Sequence, residues 1–213
     1  MHIPSRQTEK QEAFLYNYDM IGNQMVNAGA LHQMLKPYKA HLITGHTHYN
    51  LNVVFDENLM EHNTAAVCGT WWKADICLDG TPRGYGIYEV NDNDVKWYYK
   101  SSGYPKEHQF RSYPVGASKE HPSDIIANVW NWDKLWKVEW LEDGQLMGNM
   151  TRYTGLDPYA SVVCSDREKM VYTWITPRPT QHMFRATPKN KDAHITVKVT
   201  DRFGKEYIQT INP

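Results

Sequence analysis

From Leu51 to the C-terminus the chain is written in short runs of β-branched and aromatic residues cut by tight turn-formers, a texture that restricts this part to β-structure. The runs "LNVVF", "TAAVC", "GYGIYEV" and "VKWYYK" are divided by "DENL", "LDGTPRG" and "NDND", and the last two predict a hairpin. Residues 113 to 124, "YPVGASKEHPSD", cluster Pro, Gly and Ser without a period and predict a linker. Beyond it "IIANVWNW", "LWKVEWLEDGQLMGNMTRY", "KMVYTWI", "HMFRAT" and "HITVKVTDRFGKEYIQTI" alternate apolar and polar residues, with turns at "EDG" and "DRFG". That spacing predicts a small antiparallel sandwich. Residues 7 to 39 differ: Val26, Ala30, Leu31, Met34 and Leu35 fall at helical spacing, and Pro37 ends the helix. The helix feeds "AHLITG", an apolar run bounded by Gly45 that fits a buried strand of an α/β unit.

With 213 residues, 41% of them hydrophobic, the chain can build one large or two modest cores. Its 23 Lys and Arg against 24 Asp and Glu leave no basic surplus for nucleic acid or an anionic membrane. No apolar run approaches the ~18 residues of a spanning helix, and no basic region followed by an apolar core marks an address. Cys68, Cys77 and Cys164 form no CxxC pair, and Cys68 can bridge Cys77 only if their Cα atoms come within about 7 Å. Trp130, Trp132, Trp136 and Trp140 lie at even spacing, interrupted by a turn at "WDKL". An exposed aromatic face would stack on sugars, whereas the needs of a small sandwich favour these rings as core.

The strand "AHLIT" ends in Gly45-His46-Thr47-His48. Neutral imidazoles ligate zinc, iron, manganese or nickel-type ions, and a strand end gives them a rigid base. Side chains two apart point to opposite sides of an extended segment, which suits two adjacent metals better than one. An HxH pair in a chain with ten histidines carries little weight by itself, a surface loop being the default.

Its context carries more. "MHIP", a helical stretch, "YKAHLITGHTH", "NTAAVCGTWW" and "DGTPRGYGIYEV" follow one another, and this order resembles the C-terminal part of the calcineurin-like metallophosphoesterases, in the group with a β-rich C-terminal domain. The resemblance implies that His2 and His46 bind one divalent metal and His48 a second, both of the Mn, Fe or Zn type. It implies phosphomonoester or phosphodiester hydrolysis by two ions that activate a water and clamp the phosphate. None of the family's Asp-x-His, Gly-Asp-x-x-Asp and Asn-His motifs precedes the histidine loop in this sequence, so no bridging carboxylate from them accompanies the three histidines. The expectation is therefore a C-terminal portion of such an enzyme, inactive by itself and weak in metal affinity, that packs against a catalytic half or another subunit.

His62, Trp71, Trp72, Asp79, Arg83 and Tyr85 lie in the segment expected to return toward the metal face. Arg83, Trp71 and Trp72 are candidates for the substrate side, although turn chemistry and packing account for each. The expected fold class is α+β: an α/β remnant over residues 1 to 55, a β-rich segment over 56 to 118, and an antiparallel sandwich over 119 to 213. Two further functions stand beside the enzymatic one, a module binding a glycan or a protein through exposed aromatics and a purely structural lobe.

Overall fold

A computed structural model describes residues 1–5, 24–170 and 172–211. Of the predicted N-terminal helix, α1 is found at Ala28–Leu35; residues 6–23, where the rest was expected, lie outside the described residues. The strands that follow are β1 Ala40–Thr44, β2 Leu51–Val54 and β3 Leu59–Asn63. They form a mixed sheet in the order β1-β3-β2, in which β1 runs parallel and β2 antiparallel to β3. The hairpin β4 Gly84–Asn91 and β5 Asp94–Ser101 pairs without a register shift, and Asp92 supplies the positive φ its tight turn requires.

Two antiparallel sheets complete the chain. One has the order β10-β11-β7-β6, from β6 Arg111–Tyr113, β7 Ile125–Asn128, β10 Thr151–Gly155 and β11 Thr180–Ala186. The other has the order β13-β12-β8-β9, from β8 Lys137–Glu142, β9 Gln145–Asn149, β12 Ile195–Thr200 and β13 Glu206–Ile211. The helix α2, Pro158–Ser165, follows β10 and starts at Asp157, whose carboxylate accepts from Ala160 N at 2.8 Å. The two sheets face each other, as alternation predicts: Val138 and Trp140 of β8 stand opposite Val199 and Val197 of β12 and meet Ile125, Ala127 and Phe184 across the core. Of residues 113 to 124, expected as a linker, Tyr113 ends β6 and the rest connect β6 to β7 of one sheet.

The tryptophans are core residues, in agreement with the packing argument, but they do not share a face. Trp136 and Trp140 fill the sandwich with Trp132 packed against it, while Trp130 is fully buried on the other side with Ala65, Cys77 and Tyr99. The turn after β7 bonds Trp132 N to Val129 O, and this breaks the even alternation. β7 is consequently covered on both faces, Ile125 and Ala127 inward, Asn128 and Trp130 toward the segment that carries residues 61 to 110.

Two predicted strands are loops. Residues 64–68, "TAAVC", bury Ala65 beneath Trp130 without a ladder partner, and 169–175, "KMVYTWI", bury Met170 and Ile175 in a third cluster while residue 171 lies outside the described set. Cys68, Cys77 and Cys164 are all free thiols.

Candidate functional site

The residues Met1–Ser5 run beside the end of β1. The terminal ammonium donates to Ile43 O at 3.0 Å, and Gly45 N donates to His2 O at 3.0 Å. Ser5 is anchored below by Glu61 of β3, a fully buried carboxylate that accepts from Ser5 N at 2.7 Å, from the Ser5 hydroxyl, and from Thr44 Oγ1 at 2.9 Å. These bonds hold His2 over the loop that follows β1.

That loop is sharply folded rather than extended. Thr47 N donates to Gly45 O at 2.8 Å around His46, whose φ is +69°, the pattern of the strained γ-turn with positive φ. His48 has φ +57°, so both histidines occupy a region that residues with a Cβ rarely enter. Asn63, the last residue of β3, holds the loop there: its Nδ2 donates to Thr47 Oγ1 at 2.6 Å and to Tyr49 O at 2.8 Å. Asn50 closes the far end, accepting from Ala65 N at 2.7 Å and donating its own N–H to Asp79 Oδ2 at 3.0 Å. Strain of this kind persists when surrounding bonds over-determine it, and it concentrates at functional sites.

The fold makes the two histidines diverge. His46 turns to His2, with Nδ1 and Nε2 of the two rings 2.9 Å apart and the rings edge to face. Metal–nitrogen bonds of ~2.0–2.1 Å meeting at a right angle span about 2.9 Å, so these atoms can form one edge of an octahedral coordination sphere. A shared proton, N–H···N, satisfies the same spacing. His48 instead lies against Trp71, ring centroids 4.8 Å apart, with Nδ1 3.7 Å from Cys68 Sγ. Burial holds its pKa below the ordinary imidazole value, the charges of His46 and His2 add to this, and a hydrogen bond to the Gly69 backbone works against it. A proton-free ring is the ligating form.

Among the described residues, no three His, Cys, Asp or Glu side chains gather at ligating spacing. The donor set therefore fits a divalent ion in part: two imidazoles form an edge, His48 and the thiol of Cys68 stand apart, and among the described residues no carboxylate completes them. Cys68 was not singled out in the sequence as a donor, and its place beside His48 depends on the fold of residues 66 to 72.

The other candidates separate. Trp71 joins His48 on one side and Trp174 on the other, with centroids 4.4 Å apart, and Trp72 is 70% exposed. Arg83 is exposed, its backbone donating to Asp75 O, and its side chain makes no ion pair among the described residues. Tyr85 is exposed on β4. His62 alternates to the face of β3 opposite Glu61 and Asn63, where it meets His41 Nδ1 at 2.8 Å and packs on Trp97 and Tyr88. Burial, with His41 and Arg202 nearby, pulls its pKa down to about 3.

Asp79 belongs to a buried network at the joint with the sandwich. It accepts from Thr81 Oγ1 at 2.7 Å and faces His182 Nε2 at 3.3 Å, while Asn128 Nδ2 donates to Asp79 O at 2.9 Å and to Asp157 Oδ2 at 2.8 Å. Tyr113 OH donates to the same Asp157 oxygen at 2.7 Å. The bond from Asn50 N to Asp79 makes this joint continuous with the end of the histidine loop.

A family model described as the C terminal of calcineurin-like phosphoesterase matches residues 61–207, from β3 through β13. No curated protein and no solved structure matches the chain.

Proposed function

The chain belongs to the calcineurin-like phosphoesterase family, whose C-terminal domain it carries, and from that premise we propose that it serves the hydrolysis of phosphoesters at a metal face built on the loop after β1. His2 and His46 would hold one divalent ion, and His48 would serve a second. The observation that carries this reading is the 2.9 Å approach of two imidazole nitrogens from residues 44 positions apart, fixed from beneath by Glu61 and Asn63. A divalent ion there supplies Lewis-acid polarisation of a phosphoryl oxygen. The chain's own groups orient it: Gly45 and Glu61 fix the N-terminal segment Met1–Ser5, Asn63 fixes the loop, and the Asp79 network docks that loop on the sandwich.

Two imidazoles supply roughly half of a four-ligand zinc site, whose binding is worth about 10–16 kcal/mol, so the expected Kd is micromolar to sub-millimolar. Calorimetric titration with Mn2+ and Zn2+ tests this. The expected result is weak binding that His46→Ala abolishes; two tightly bound ions per chain, or binding indifferent to His46→Ala, would overturn it.

A further inference from the structure

Four of the six non-glycine residues with positive φ among those described are His46, His48, Trp71 and Trp72, and of these the rings of His48 and Trp71 lie together, centroids 4.8 Å apart. Two consecutive tryptophans in this conformation are a greater oddity than the histidines, because bulky side chains enter it least readily. Their placement follows from packing below. Trp71, Ala74 and Leu78 rest on a buried cluster of Cys164, Met170 and Ile175, which comes from α2 and the loop after it. Arg178 fixes the end of that loop, donating its N–H to Leu78 O at 2.8 Å and laying its guanidinium over the Tyr49 ring at 5.4 Å.

Among the described residues nothing covers the aromatic surface above this base. From His48 it passes to Trp71, then to Trp174 edge to face, then to Tyr172 stacked at 5.5 Å. Trp174 is 53% exposed, Tyr172 45% and Trp72 70%. Trp71 stands in strained backbone, and the run from His48 through Trp174 to Tyr172 leaves its last two rings about half exposed, above the core rather than in it.

We propose that this wall is a stacking subsite for a planar ring carried by the phosphoester, so that the C-terminal domain selects substrates with an aromatic or heteroaromatic substituent. The inference rests on the metal reading for the position of the phosphoryl group, while the wall itself rests on the chain's own side chains. Aromatic stacking commonly contributes about a tenfold affinity difference.

The test compares phenylphosphonate with methylphosphonate, which share the anion and differ in the ring, by calorimetry in the presence of Mn2+. Phenylphosphonate should bind about tenfold tighter. Trp174→Ala should remove that preference and leave methylphosphonate unchanged, and Trp174→Phe should keep most of it. Equal affinities in the unsubstituted protein, absence of binding by both where Mn2+ does bind, or a preference that survives Trp174→Ala would overturn the inference. A titration with Mn2+ alone, with and without His46→Ala, reports on the metal reading separately. Loss of the His46 dependence sinks that reading, and loss of only the phenyl preference sinks the wall.

Discussion

Replacement of Asp157 by alanine should weaken the whole protein through one buried carboxylate. Its Oδ1 caps α2 at Ala160 N, and its Oδ2 accepts from Asn128 Nδ2 and Tyr113 OH, with no exposed surface. Loss of the cap costs about 1 kcal/mol. Asn128 Nδ2 keeps Asp79 O as an acceptor, so the main orphan is the donor of the half-buried Tyr113 hydroxyl, which still accepts from Arg111, at about 1–3 kcal/mol. The sum is about 2–4 kcal/mol, a lowering of the urea midpoint by about 1 M at an m-value of ~2–3 kcal/mol/M. Asp157→Asn keeps an oxygen for the cap but sets a donor against Asn128 Nδ2, and should fall between the two proteins. Urea unfolding followed by tryptophan fluorescence measures all three. A midpoint for Asp157→Ala within about 0.2 M of the unsubstituted protein would refute the reasoning that this carboxylate ties α2 to β6 and β7.

Gly80 has φ +80° and a Cβ there would run into the Asp157 side chain, so Gly80→Ala should destabilise by at least the ~1 kcal/mol of left-handed strain, read in the same assay. His62 is neutral in the fold and protonates in the unfolded chain near its ordinary value, so stability should fall as pH drops below 6.5 toward about 3. The loss between pH 6.5 and about 4.5 is about 2 kcal/mol, and His62→Gln should flatten it; an unchanged slope in denaturation at several pH values would exclude His62 as the source. Asn63→Leu removes the donor that brackets the histidine loop and should weaken Mn2+ binding by about tenfold in calorimetry, without touching an imidazole.

The sandwich was legible because alternation and turn chemistry agree there. Asp143 and Gly144 provide the two positive φ values that join β8 to β9, and "DRFG" joins β12 to β13. The errors fall where burial comes from tertiary packing rather than a ladder: Ala65, Met170 and Ile175 are core residues on loops, and their runs read as strands for that reason. β3 went unpredicted because "LMEHN" is polar, yet all five residues are buried and Glu61, His62 and Asn63 spend their polarity on internal bonds. α2 does have a local signal in the sequence, Asp157 followed by Pro158, an N-cap before a proline in the first turn. In the site, the alternation rule for His46 and His48 presupposed extended backbone, which the γ-turn removes. The approach of His2 came only from family resemblance, and Tyr172 and Trp174 carried no pattern linking them to a loop more than 120 residues earlier.

The central claim, that His2 and His46 share one divalent ion, is tested most directly by 15N NMR of the imidazole nitrogens during titration with Zn2+. The account predicts that His2 Nε2 and His46 Nδ1 shift together, along one binding curve, while His62 and His41 stay unchanged. Independent curves for His2 and His46, or shifts at other histidines with this pair silent, would contradict it.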